Sequence, residues 1–123
     1  MGLLSKIFNK KESEDKTGGM QDYMTLVRVY FQASLAEQLG ITNLAMLPDL
    51  RMFKTTLHVP TQNNKLGIGE KIHCRKMMKE IYKTDEVFFK EIDQSVRRNC
   101  KKLPDMQVYM VQFQNFTQDL MML

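Results

Sequence analysis

From Met20 to Leu39, Met20, Tyr23, Met24, Val27, Tyr30, Phe31 and Leu35 recur at spacings of three and four, the period of one helical face. Leu26, Val29, Ala33 and Ala36 widen that face until only Gln21, Thr25, Arg28 and Gln32 remain on the wet side. A helix so apolar is expected at the centre of the fold, and Gly40 suits its end. Asn43 is read as the cap of a second helix. Pro48 is read as a helix start or a kink, because its ring presets φ and removes a backbone donor. Leu50, Phe53 and Leu57 form a short stripe, and HVPTQNNKLG over 58–67 reads as a loop.

A third helix is predicted from Ile68 to Lys83. Stepping 100° per residue places Cys74, Met77, Met78 and Ile81 on its buried side, extended by Ile68, Ile72 and Tyr82. Thr84, Asp85 and Glu86 open a fourth helix that runs to about Lys102, since a side-chain oxygen there satisfies a free backbone N–H and the carboxylates favour the positive end of the dipole. Phe88, Phe89, Ile92, Val96, Asn99, Cys100 and Leu103 share one side of it. Pro104 starts a fifth helix, along which Met106, Tyr109, Met110, Phe113, Phe116, Leu120 and Met121 keep the helical spacing. The alternation of Tyr109, Val111 and Phe113 also fits a strand, but no second strand is available to pair with it. The expected fold is therefore all-α, a compact bundle of four to five helices forming a single domain over 20–123, preceded by a flexible basic leader over 1–19.

Composition refines this picture only slightly. With 123 residues, 43% of them hydrophobic and 26% charged, the chain suits one globular domain. No run approaches the roughly 18 consecutive apolar residues of a membrane span. The opening residues lack a secretory apolar core, and Lys6 stands where a myristoylation motif needs Ser or Thr, so a cytoplasmic protein is expected. Leu3, Leu4, Ile7 and Phe8, with Lys6, Lys10 and Lys11, describe a short basic amphipathic turn whose binding to a membrane or partner is marginal on its own.

Candidate chemistry is sparse. His58, His73, Cys74 and Cys100 show neither Cys-x2-4-Cys nor His-x3-5-His spacing, the adjacent His73 and Cys74 diverge around the helix and Cys100 falls among core residues, so no metal, cofactor or catalytic residue is assigned. The glycines of KLGIGEK lack both the third glycine of a dinucleotide fingerprint and the Gly-Lys-Ser/Thr of a triphosphate loop; they are read as ending the loop. A small enzyme would place its site near His58, Asn63, Asn64 and His73.

The net charge of +4 concentrates on the third and fourth helices, where Arg75, Lys76, Lys79, Lys83, Arg97 and Lys101, with Lys65, Lys71, Arg98 and Lys102 nearby, are the candidates for nucleic-acid or anionic-surface binding. Leu120, Met121, Met122 and Leu123 end the chain on apolar side chains and are the candidates for an interface with a protein partner or a second copy. The leading expectation is a non-enzymatic helical interaction module, possibly self-associating; the basic surface is the alternative.

Overall fold

The computed structural model describes residues 16–61 and 65–122, with side chains described over 22–61 and 65–119. It is all-α. Five α-helices, α1 (Lys16–Leu39), α2 (Pro48–Leu57), α3 (Ile68–Tyr82), α4 (Glu86–Asn99) and α5 (Leu103–Met122), are joined by a 3₁₀ turn at Leu44–Met46 and by loops. The described part of the leader is 16–19, and it lies inside α1, four residues ahead of the boundary drawn from the apolar pattern; residues 1–15 lie outside the described residues.

α1 is the axis of the fold, and each of the other four helices packs against it. Leu26, Val29, Tyr30, Ala33 and Leu35 are fully buried. Its expected wet side is only partly wet. Gln32 is buried, and its amide works as a remote cap: Oε1 accepts a hydrogen bond from Leu50 N at 3.0 Å and Nε2 donates to Asp49 Oδ2 at 3.0 Å. The residue preceding α2 is Leu47, which carries no capping oxygen, so a side chain 18 residues before Leu50 satisfies the free N–H of Leu50 at the start of α2. Arg28 adds an ion pair to Asp49 at 3.4 Å.

The helix ends follow local chemistry. Gly40, at φ 68°, ends α1 in a Schellman turn closed by Ile41 N donating to Ala36 O at 3.1 Å. Asn43 caps the 3₁₀ turn through Ala45 N. The oxygen that caps α4 belongs to Asp85, which accepts from Val87 N at 3.1 Å; the Thr84 hydroxyl is buried without a hydrogen-bond partner among the described residues.

The inward face of α3 differs from the one the wheel places there. Cys74, Met77 and Met78 are buried as expected, but Ile72 and Ile81 are exposed, while Glu70 and Lys71 are inside. Glu70 accepts from Gly67 N at 2.7 Å and contacts Lys54 Nζ at 3.0 Å. Lys71 Nζ lies 2.7 Å from Glu37 and 2.9 Å from Asp93. Asp93 in turn accepts from the Ser34 and Tyr30 hydroxyls at 2.9 and 3.1 Å, which ties α1, α3 and α4 together. Buried charges survive only when paired and hydrogen-bonded, and these partners come from distant parts of the chain. On α4 the expected stripe holds for Phe89, Ile92, Val96 and Cys100 but not for Asn99, which is exposed; Leu103, placed at the end of that stripe, opens α5 and is also exposed.

Candidate functional site

α5 leans against α1, with the Phe113 ring stacked on the buried Phe31 ring at a centroid distance of 3.9 Å and Tyr109 edge-on to the same ring at 5.2 Å. Met106 and Thr117 complete its buried face. A hydrogen bond between the Ser95 and Tyr109 hydroxyls pins α5 to α4 near the connection between them. Toward the other end, α4 and α5 part and leave an apolar groove of about 420 Å³ floored by α1. Tyr23, Met24 and Val27 form the floor. Phe88 and Ile92 form one wall, and Phe113 and Phe116 the other. Glu91, Ser95 and Gln112 also line it.

The outer side of α5 continues this apolar surface. Val108, Val111 and Phe116 are exposed to 60%, 58% and 55%, interleaved with exposed Gln107, Gln112, Asn115 and Gln118. Between Asp105 and Asp119 it carries no charged residue, and Gln107, Gln112, Gln114, Asn115, Thr117 and Gln118 supply its polarity.

The cations named from the sequence are distributed differently from a clean basic patch. Arg75 Nη1 and Lys79 Nζ both reach the Glu86 carboxylate, at 3.1 and 3.2 Å, and hydrogen bonds from Lys79 and then Arg75 hold the Glu86 carboxyl below its ordinary range. The Arg75 guanidinium also lies 5.6 Å from the centre of the Phe89 ring. Lys76, Lys83, Arg97 and Lys101 are exposed, with Lys83 Nζ donating to Glu80 O at 3.3 Å. Lys71, grouped with this surface from its sequence position, belongs to the interior. The contacts of Lys71 with Asp93 and of Lys79 with Glu86 run in opposite order along the two helices, so α3 and α4 are antiparallel, as the short connection between them suggests.

Leu120, Met121 and Met122 occupy the last turn of α5; their side chains, and Leu123 altogether, lie outside the described residues. His58 is exposed and closes α2 in the left-handed conformation at φ 55°. His73 is half-buried against Phe53, with ring centres 5.8 Å apart, and its Nε2 is buried without a hydrogen-bond partner among the described residues. Asn63 and Asn64 lie outside the described residues, so the set named for a small enzyme is represented by two histidines on different elements. Among the described residues no group of three or more His, Cys, Asp or Glu is placed to hold a metal ion, and no helix is long and apolar enough to cross a membrane.

The cysteines sit where they are chemically quiet. Cys74 is fully buried, its thiol donates to Leu26 O at 3.4 Å, and burial raises its pKa far above the ordinary value. Burial, with the charge of Asp105, pushes the Cys100 thiol up to about 11. The thiolate is the reacting species, so a thiol-directed disulfide reagent at pH 8 should find no fast-reacting group on the native chain and both cysteines after denaturation; a burst of reaction with the native chain would contradict this burial.

Comparison with known families gives a match along the whole chain: a family model described as "Domain of unknown function (DUF8491)" covers residues 1–123. The chain belongs to this family. Neither the curated proteins nor the solved structures yield a match. The groove and the uncharged face of α5 therefore carry the functional argument for this family member. Sequence reasoning placed Phe113 and Phe116 on an apolar stripe but did not foresee that α4 and α5 diverge; the one available signal was the uncharged stretch between Asp105 and Asp119.

Proposed function

We propose that this chain is a non-enzymatic helical interaction module of the cytoplasm, and that it receives an apolar helix of a protein partner in the groove between α1, α4 and α5. The observation that carries this reading is an open groove with apolar floor and walls, continuous with an α5 face that exposes Val108, Val111 and Phe116 without an intervening charge. A groove lined by aromatic, Met and Ile side chains takes the apolar positions of an amphipathic helix at i, i+3 and i+4, the commonest helical mode of peptide recognition. Two free, buried cysteines suit a reducing compartment. The alternative, an anionic partner held by Arg75, Lys76, Lys79, Lys83, Arg97 and Lys101, is weakened because Arg75 and Lys79 are already paired with Glu86.

One experiment separates the two. Benzoylphenylalanine installed at Gln112, on the lip of the groove, or at Lys76, on the basic side of α3, is photo-activated in cells and the adducts are sequenced. The groove reading expects a protein adduct through an apolar helical segment from Gln112, lost when Phe116→Glu is added. Adducts from Lys76 alone would favour the basic surface, and silence at Gln112 would end the groove reading. Phe116 is more than half exposed, so Phe116→Glu leaves the fold intact.

A further inference from the structure

Most carboxylates among the described side chains are already engaged. Glu37, Asp49, Glu70, Glu86 and Asp93 hold cations, Asp85 caps α4, and Asp105 accepts from Lys101 N. Asp22 is buried. The exposed remainder is Glu80, Glu91 and Asp119. Glu80 shares its surface with Lys76 and Lys79. Glu91, by contrast, lines the groove from α4, and Asp119 stands on the edge of α5 that carries Gln112 and Phe116, which precede it by seven and three residues.

No element that forms the groove offers Glu91 a counter-charge. Its neighbours one turn away on α4 are Val87, Phe88, Gln94 and Ser95. Lys90 is adjacent but turned about 100° away, and Arg98 stands two turns on, about 10 Å along the axis. The opposite wall, α5, contains no Lys or Arg from Leu103 to Met122. The floor is Tyr23, Met24 and Val27, and the neighbouring Arg28 is held by Asp49. The chain as a whole carries +4, so these two acids make the groove the place to which a cationic partner is drawn.

We infer that the helix received by the groove is a basic amphipathic one, with Lys or Arg on both borders of its apolar stripe, where they meet Glu91 of α4 and Asp119 of α5. This rests on the reading of the groove as a helix-receiving site and adds the charge class of the partner. Apolar side chains seated on Met24, Val27 and Ile92 supply the affinity, and the two exposed acids supply the choice. A helix with acidic borders brings like charges together at both acids, so discrimination comes from repulsion of the wrong partner as well as attraction of the right one.

The test is fluorescence anisotropy of the full chain with two labelled synthetic helices that share one leucine stripe, the first bordered by lysines and the second by glutamates. At low salt the lysine helix is expected to bind about tenfold more tightly, from two exposed pairs made in one case and two repulsions in the other. The ratio should shrink at about 0.5 M salt. Glu91→Lys with Asp119→Lys should reverse the preference, while Glu80→Gln, outside the groove, should leave it unchanged. All three positions are exposed, so these variants keep the fold. Equal affinities, or a preference for the glutamate helix, would overturn the inference and leave the groove reading standing. A preference that survives the charge reversal would place the lysine helix elsewhere on the chain and overturn it. A chain that sediments as a dimer, and as a monomer with Phe116→Ala, would give the groove to a second copy and overturn it as well. Binding of neither helix would also overturn it, and the Gln112 cross-link then decides the groove itself, so the two readings fall separately.

Discussion

Gly67→Ala is expected to lower stability by about 3 kcal/mol, the combination of roughly 1–2 kcal/mol for an L-residue in left-handed backbone and roughly 1–3 kcal/mol for overpacking. Gly67 has φ 107°, and a Cβ built on it would stand 2.5 Å from Ala33 O and 2.7 Å from Glu37 N. Both are backbone atoms of α1, so no rotamer change relieves the clash, and the start of α3 must move away from the central helix. That movement would also pull Gly67 N from the Glu70 carboxylate. A loss of this size should lower the melting temperature by about 10 °C. Gly40→Ala is the control. Its φ is 68°, but nothing lies within 4 Å of the added Cβ, so it should cost only about 1 kcal/mol. Denaturant midpoints of the two variants decide the matter, and equal shifts would refute the close approach of α1 and α3 at Gly67.

Lys54→Met should destabilise by a similar amount, about 3 kcal/mol, because it leaves the Glu70 carboxylate buried without its cation. Glu70 has no exposed surface; one oxygen accepts from Gly67 N, and the other is met by the Lys54 ammonium at 3.0 Å. Lys54 Nζ also donates to Val59 O at 2.6 Å, which binds the end of α2 to the segment leading into the loop. The companion is the double variant Lys54→Met with Glu70→Gln. Neutralising the carboxylate keeps an acceptor for Gly67 N and removes the stranded charge, so the double variant should regain most of the lost stability. Additive losses in a double-mutant cycle would mean that the two side chains are not coupled.

These two positions also mark where the residues of the sequence stop being informative alone. Gly67 reads as the end of a loop, and its backbone conformation is consistent with that, yet nothing near it in the chain announces that Ala33 and Glu37 press against it. Glu70 and Lys71 look like solvated residues at the start of a basic helix. Their burial depends on Lys54, Glu37 and Asp93, which stand 16, 34 and 22 residues away. Because a charge inside needs a partner from elsewhere, a helical wheel that reads one segment at a time puts Ile72 inwards in place of Lys71. Gln32 fails the same test for the same reason, since the N–H it caps belongs to α2.

The groove was legible in part. Tyr23, Met24, Val27, Ile92 and Phe113 fall on the stripes that periodicity picks out, because burial of apolar side chains imposes the helical period on any amphipathic segment. The candidates for an interface were placed at Leu120–Leu123 from the apolar chain end, where the side chains lie outside the described residues; earlier on the same helix Val108, Val111 and Phe116 are exposed. Those three residues look unremarkable one by one, and only the direction of α5 relative to α1 and α4 makes them a surface.

What the sequence by itself determined is the set of helices and their order. Spacing of apolar residues, Gly40 at a helix end, Asn43 and Asp85 at starts and Pro48 and Pro104 near N-termini are local signals, read by hydrogen bonds and φ preferences within a few residues. What only the tertiary structure decided is which charges go inside, how the helices lean, and where α4 and α5 separate. Those outcomes depend on contacts between residues far apart in the chain, whose energies arise only when the helices meet.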